Sequence, residues 1–286
     1  MKDLHFIIGL PRTGSTILTA LLDQNPNFYA TGTSPLPSVI ENVIAQMGPQ
    51  NDFNIINHKT LEKQVYGLMR GCIEGWHSGE TDKPVIFSKS RPWIIFYDEL
   101  RRLYPDAKFI FCVRDLRSIV LSFEKLVPQF PFLRFPIKEA GDLSVSRLDR
   151  NSRLKYWLYH EYSALGIMHK HMPKFYDDYA DSPSNFFIFK YEEFAPNPQD
   201  TMDKLYDFLG YEKFQHDFDN INFTPKEYDT AYWSYVDHTV GSKLNYVESD
   251  FSVFGGMNEE IINDNIKFYK FFYPELFQSS TKRNRF

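Results

Sequence analysis

Residues 4–22 read LHFIIGLPRTGSTILTALL, and this stretch decides the fold. Its first five residues form an apolar run of strand length, which ends at a loop bounded by Gly9 and Gly14. After the loop, apolar residues recur at the spacing of one helix face. The stretch therefore predicts a strand, a tight glycine loop and a helix.

The rest of the chain repeats this alternation of strands and helices. Short β-rich runs occur at 28–30, 85–88, 108–113 and 185–189, with helical patterns between most of them. The clearest helical pattern spans 153–172. Such alternation predicts an α/β fold, a three-layer α/β/α arrangement with a central, mainly parallel sheet. No linker or repeat divides residues 1–286, so we expect a single domain with a nucleotide-binding core over about 1–210. An irregular late loop and a C-terminal helix would occupy about 211–286.

Composition narrows the classes of partner. The chain has 286 residues, 43% of them hydrophobic, and a formal net charge of -5, which does not favour a nucleic acid polymer or an anionic membrane. Two cysteines are too few for a disulfide framework, and Cys112 lies in an apolar run typical of a buried strand. With no apolar run of 18 residues and no signal-peptide pattern, we expect a cytoplasmic protein without a membrane span. The oligomeric state is left open.

The glycine loop is similar to a Walker A loop but lacks its lysine. Gly9 and Gly14 keep the five-residue separation and Thr16 keeps the hydroxyl, whereas Ser15 stands at the lysine position and Arg12 is the loop's cation. The N–H groups and the positive dipole end of the following helix would still favour a phosphate. The alternative is an ordinary turn in which Ser15 and Thr16 cap the helix.

A second pair of residues suits a phosphate as well. Arg114 ends the apolar run 109–113, and Ser122 follows eight residues later on a predicted helix. The carboxyl end of a strand is where open α/β sheets bind ligands, and an arginine fork with a hydroxyl matches a phosphate dianion. The alternative is a local ion pair between Arg114 and Asp115, with Ser122 solvated.

These two motifs together resemble sulfotransferases that use 3′-phosphoadenosine 5′-phosphosulfate (PAPS), in particular the branch with arginine after the loop proline. The resemblance runs from about residue 3 to residue 210 and implies a 5′-phosphosulfate site and a 3′-phosphate site. The first would comprise Pro11, Arg12, Thr13, Gly14, Ser15 and Thr16, and the second Arg114 and Ser122.

Two weaker matches extend the resemblance. The segment 189–194 is similar to the family's strand with a tyrosine near the adenine, which gives Tyr191 a cofactor role or, alternatively, a packing role. The segment 237–244 looks like the late loop that closes over the nucleotide in relatives, with Lys243 as its cation.

Sulfonyl transfer builds negative charge on the departing phosphate and on the sulfonate oxygens. Arg12 and the loop backbone would stabilise that charge. Lys89 would serve the bridging oxygen or the sulfonate or, alternatively, be an ordinary surface cation. The histidine that follows this lysine in cytosolic sulfotransferases is absent, as is the glutamate of the arginine-loop branch. Glu41 and His238 are therefore the candidate general bases. No metal is expected, because the sequence has no histidine and cysteine cluster at ligand spacing.

The acceptor is predicted only as a hydroxyl or amine on a small molecule, a glycan or a peptide. Aromatic residues in 127–135 and 228–235 would line its pocket or pack in the core. Two other functions remain open. A P-loop kinase with an aberrant loop would need ATP and magnesium, and a non-catalytic nucleotide-binding protein would bind without turnover.

Overall fold

A computed structural model describes residues 2–47, 58–125, 148–161, 163–223 and 241–278. Five strands form one sheet: β1 Asp3–Gly9, β2 Phe28–Ala30, β3 Val85–Lys89, β4 Phe109–Val113 and β5 Phe186–Lys190. Their spatial order is β2-β3-β1-β4-β5, and every neighbouring pair is parallel. The predicted parallel sheet is confirmed, although β4 and β5 each begin one residue later than expected.

Helices connect and cover these strands. They are α1 Ser15–Gln24, α2 Leu36–Gln46, α3 His58–Glu80, α4 Tyr97–Leu103, α5 Leu116–Glu124, α6 Arg150–Tyr159, α7 Ala164–Asp181, α8 Tyr191–Phe194, α9 Pro198–Leu209, α10 Met257–Asp264, α11 Ile266–Phe272 and α12 Glu275–Gln278. Short 3₁₀ helices occupy Arg91–Phe96, Pro183–Asn185 and Phe251–Phe254. Within the described ranges, none of the helices is sufficiently long and apolar to cross a bilayer.

The sheet separates two apolar cores because successive strand residues point to opposite faces. In β1, Phe6 and Ile8 belong to one core and Ile7 to the other. The first core receives side chains from α2 to α7 and from α10 and α11, whereas α1, α8 and α9 supply the second. Cys112 of β4 is fully buried and unpaired, as its apolar context predicts. Helices on both faces confirm the three-layer α/β/α fold.

The single helix predicted over 153–172 is wrong, because the structure contains two helices there, α6 and α7. Ser163 caps α7, since its hydroxyl accepts from the Gly166 N–H at 2.8 Å and donates to the Trp157 carbonyl at 2.9 Å. Gly166 also packs directly on the His160 carbonyl, where a Cβ would overlap the oxygen. The apolar periodicity continues through this break, and Pro173 lies inside α7 without ending it.

The order of the strands determines where a ligand would bind. From β1 the chain builds β2 and β3 on one side of the sheet and then crosses to β4 and β5 on the other. Open α/β sheets bind ligands at the carboxyl ends of the strands where the order reverses. Four neighbouring strands, β3, β1, β4 and β5, end at that edge. The predicted residue Lys89 is the last residue of β3, and the other three strands lead directly into segments that carry predicted site residues.

Candidate functional site

The glycine loop has an unusual backbone. Gly9, Arg12 and Gly14 have φ values of 124°, 59° and 81°, a region that favours glycine. A Cβ on Gly9 would overlap the Cys112 carbonyl of β4, and one on Gly14 would lie 2.6 Å from the ring of Tyr191. The loop therefore depends on both glycines, and Arg12 holds a conformation that is costly for a residue with a side chain.

The first turn of α1 faces this loop. Gly14 is the N-cap, and no side chain caps the helix, so the interpretation of Ser15 and Thr16 as caps is wrong. The first N–H groups of any helix have no acceptor within it, and here no capping side chain accepts from them. Thr13 contributes differently: its buried hydroxyl donates to the Leu10 carbonyl at 2.9 Å and stabilises the loop from inside.

Arg12, Arg114 and Ser122 lie together, although 110 residues separate the first from the last. The Arg12 Nε donates to the Ser122 hydroxyl at 2.9 Å. One terminal nitrogen of Arg114 donates to the Arg12 carbonyl at 3.2 Å. The Nε of Arg114 is buried and has no hydrogen-bond partner among the described residues. The residues predicted for the 5′ and 3′ phosphates thus form one cluster with at least one unused donor.

Asp115 does not neutralise Arg114. Its carboxylate accepts from the Arg117 guanidinium, with Nη2 at 2.6 Å from Oδ2, and from the Arg117 backbone N–H at 2.9 Å as the N-cap of α5. The Tyr269 hydroxyl donates to the same carboxylate at 3.0 Å. The alternative of an ion pair between Arg114 and Asp115 is therefore wrong, because Arg117 takes that place.

Lys89 brings a cation to the loop from β3. Its side chain is 8% exposed, and its ammonium donates to the Thr16 hydroxyl at 3.0 Å. Its backbone N–H donates to the Thr31 hydroxyl at 2.7 Å, which fixes the end of β3 against the turn after β2. Lys89 thus contacts Thr16, whose hydroxyl stands at the position that binds magnesium in a Walker A loop.

The electrostatic environment of Arg12 is positive. Burial lowers the pKa of its guanidinium, and the charges of Arg114 and Arg91 lower it further. Within the described part of the chain, neither Arg12 nor Arg114 pairs with a carboxylate. Arg12 and Arg114 are both half-buried, and two such cations without a carboxylate partner favour an anionic ligand.

Tyr191 follows β5 and forms one wall of the cluster. Its ring is 9% exposed and lies beneath the Arg114 guanidinium, 4.2 Å from the ring centroid to the guanidinium carbon. This cation–π contact and the close approach to Gly14 join the ends of β1, β4 and β5. Tyr191 therefore lies at the predicted nucleotide site, and its role toward adenine stays a prediction.

The remaining candidates have no contact with the cluster among the described residues, or lie outside those residues. Glu41 is exposed on α2, where its charge acts on His171 of α7. Lys243 is exposed and pairs with Asp219 at 2.6 Å. His238 lies outside the described residues, as do the aromatic stretches 127–135 and 228–235. Among the residues that the structure describes, no group of three or more His, Cys, Asp or Glu is placed to hold a metal.

Two neighbours of the cluster were not found from the sequence. Glu192 follows Tyr191 and accepts from the Asp115 N–H at 3.0 Å. Tyr246 is 40% exposed in the late segment, and its electrostatic neighbours include Arg114 and Tyr191. The acid after Tyr191 was visible as part of a motif, whereas Tyr246 lies in an irregular segment without a periodic signal.

Comparison with known proteins agrees with this geometry. The sequence profile of the sulfotransferase family matches residues 5–216. The chain is 31% identical over 133 residues to a candidate protein-tyrosine sulfotransferase of Caenorhabditis briggsae, an alignment that covers 44% of this chain and 45% of that protein. It is 26% identical over 122 residues to the Drosophila melanogaster protein-tyrosine sulfotransferase, with 42% of this chain and 24% of that protein covered. The match therefore spans less than half the length of either relative.

Among solved structures, the chain is similar to the sulfotransferase domain from the curacin biosynthetic pathway. The TM-score is 0.50 at 13% sequence identity, and the superposition covers 92% of this chain and 97% of that one. At this identity the likeness concerns the fold alone.

Proposed function

Because the chain belongs to the sulfotransferase family, we propose that it moves a sulfonyl group from PAPS to a hydroxyl or amine acceptor. The observation that carries this proposal is the cluster of Arg12, Arg114 and Ser122 at the ends of β1 and β4. Arg114 has a buried, unused donor, while Arg117 occupies the carboxylate next to it. Such donors suit a ligand with a phosphate in addition to the one bound at the loop.

The residues would divide the work as follows. Arg114 and Ser122 would hold the 3′-phosphate, and the backbone of residues 13–16 with Arg12 would hold the 5′ end. When bound, PAPS supplies the sulfonyl group as a phosphosulfate. Protein contacts hold Arg12 and Lys89 at the loop, so they would stabilise negative charge on the departing phosphate with little reorganisation.

The contact between Lys89 and Thr16 favours PAPS over a magnesium nucleotide. A P-loop kinase uses this hydroxyl to bind Mg²⁺, whereas here an ammonium lies 3.0 Å from it. A divalent cation at the same hydroxyl would be repelled by the lysine charge. We therefore propose that Lys89 of β3 and Arg12 of the loop neutralise the negative charge of the bound nucleotide.

For the acceptor we propose a class of molecule, not a single compound. Both relatives named above are protein-tyrosine sulfotransferases by name, so a tyrosine-containing peptide is the first acceptor to test. A small molecule or a glycan with a hydroxyl or amine is the alternative. Glu41 and His238 stay predictions for the general base.

Thermal denaturation with three ligands tests the proposal. A ligand of the native state at 100 times its Kd stabilises the fold by about 2.7 kcal/mol. We expect 3′-phosphoadenosine 5′-phosphate (PAP) to raise the unfolding midpoint without added metal, and ATP to have a smaller effect that magnesium does not increase. Stabilisation by ATP with magnesium alone would mean that the kinase alternative is correct. PAP stabilisation without sulfonyl transfer to any acceptor would favour the non-catalytic alternative.

A further inference from the structure

A partly buried chain of hydrogen bonds lies next to the Arg114 and Tyr191 pair. Asp115 is the residue after Arg114, and Glu192 is the residue after Tyr191. The backbone N–H of Asp115 donates to one carboxylate oxygen of Glu192 at 3.0 Å. The hydroxyl of Tyr273 donates to the other oxygen at 3.1 Å. The side chain of Glu192 thus joins the ends of β4 and β5, and Tyr273 donates a hydrogen bond to that side chain.

The C-terminal part of the chain contacts this junction twice. Tyr269 of α11 donates to the Asp115 carboxylate at 3.0 Å, and Tyr273 follows the same helix. Tyr269 and Tyr273 are 0% and 3% exposed. Both tyrosines lie beyond residue 216, where the match to the family profile ends. The segment after the matched region therefore supplies contacts to the nucleotide end of the sheet.

Packing alone does not explain a carboxylate at position 192. Burial raises the pKa of Glu192, which reflects the cost of keeping a charge away from water. Two hydrogen bonds from groups on separate elements offset part of that cost. A buried polar group with such partners fixes one arrangement of the elements that it joins. Here those elements are the two strand ends that carry Arg114 and Tyr191.

We propose that Glu192, held by Tyr273, is a positioning residue for the nucleotide site, because its bond to the Asp115 N–H sets the stack of Arg114 on Tyr191. The guanidinium carbon lies 4.2 Å from the ring centroid, and this stack orients the donors of Arg114. This inference rests on the proposed function, since it assumes that Arg114 binds the 3′-phosphate of PAPS.

The test measures the preference for a 3′-phosphate. Isothermal titration gives the Kd of adenosine 5′-monophosphate and the Kd of PAP, and their ratio is that preference. Glu192→Ala removes both hydrogen bonds, Tyr273→Phe removes one, and Glu192→Gln keeps an oxygen that accepts from the Asp115 N–H. Tyr159→Phe is the matched control, because it also removes one tyrosine hydroxyl that donates to a carboxylate, here Asp264 at 3.0 Å, and this tyrosine is exposed.

We expect the ratio to fall by about tenfold in Glu192→Ala, which loses two hydrogen bonds, and by about threefold in Tyr273→Phe, which loses one. It should stay within about twofold of wild type in Glu192→Gln and in the control. An unchanged ratio in either of the first two variants, when folded, overturns the proposal. An equal loss in the Gln and Ala variants also overturns it, because charge rather than position would then be responsible.

The experiment separates this inference from the proposed function. If Glu192→Ala does not fold, Tyr273→Phe decides the question, since it removes only a hydroxyl. A wild-type protein that does not prefer PAP to adenosine 5′-monophosphate contradicts the proposed function itself. A wild-type preference that persists in the folded variants contradicts only the role of Glu192.

Discussion

Replacement of Arg114 by alanine is the most direct test of the proposed nucleotide site. The side chain combines a buried Nε that has no partner in the described ranges with a terminal nitrogen bound to the Arg12 carbonyl. It also stacks on Tyr191, and the neighbouring Asp115 is already occupied by Arg117. Arg114→Ala therefore removes donors that are oriented and not neutralised by a carboxylate.

The size of the effect follows from the type of hydrogen bond. A hydrogen bond to a charged group contributes about 1.5–3 kcal/mol, which corresponds to about 10- to 150-fold in Kd. PAP carries the 3′-phosphate that Arg114 would contact, and adenosine 5′-monophosphate does not. We expect Arg114→Ala to weaken PAP by that factor and the monophosphate by much less, so that the preference for a 3′-phosphate disappears.

Titration calorimetry at fixed ionic strength measures both Kd values. Arg114→Lys keeps the charge but loses the planar fork, so it should fall between wild type and alanine. Arg102→Ala is the matched control, since it removes one positive charge from an exposed ion pair with Glu62 on the outside of α4. If Arg114→Ala weakens both nucleotides equally, or neither, the assignment of Arg114 to the 3′-phosphate is refuted.

Three further predictions concern the loop and its strands. Gly9→Ala should destabilise the fold by about 3 kcal/mol or more in urea denaturation, because its φ is 124° and the new Cβ would overlap the Cys112 carbonyl; wild-type stability would contradict that packing. Lys89→Met should slow the release of PAP from PAPS by about 100-fold and leave the Kd of PAP nearly unchanged, whereas a loss in Kd alone would make Lys89 a binding residue. Burial lowers the pKa of His5 to about 4 from 6.5, and its Nδ1 accepts from the Lys108 N–H at 3.1 Å. Between pH 4 and pH 6.5 the unfolded state therefore binds more protons at His5 than the folded state does. His5 contributes about 3 kcal/mol to the free energy of unfolding above pH 6.5, and this contribution is lost as the pH falls toward 4. His5→Gln should flatten this part of the curve of unfolding free energy against pH.

The strands and the glycine loop could be predicted because their signals are local. The apolar run of β1, the separation of Gly9 and Gly14 and the position of Arg114 after β4 can all be read from neighbouring residues. Local signals also gave the wrong prediction of a single helix over 153–172, because the apolar period continues through the break at Ser163. A capping hydroxyl and a glycine packed on a carbonyl end one helix and begin the next without changing that period.

Contacts between distant segments could not be predicted in the same way. Ser122 was expected beside Arg114, and the structure shows that its hydroxyl accepts from Arg12. Asp115 has arginines on both sides in the sequence, and it pairs with Arg117 because its position as N-cap of α5 turns the carboxylate toward the helix. The availability of Arg114 rather than Arg117 for a ligand thus depends on the direction in which the chain leaves β4 and enters α5. The sequence does not specify that direction.

The arrangement of cations agrees with the proposal that a loop without the Walker lysine binds a doubly phosphorylated nucleotide. In a Walker A loop one lysine within the loop and a magnesium ion carry the positive charge. Here Arg12 belongs to the loop, Lys89 and Arg91 come from the end of β3, and Arg114 comes from the end of β4. The charges of Arg114 and Arg91 lower the pKa of Arg12, which reflects repulsion between Arg12 and these two arginines. An anion that bridges the strand ends relieves this repulsion, which a single phosphate at the loop would do only in part. The geometry therefore favours a nucleotide with charge at both its 5′ and 3′ positions.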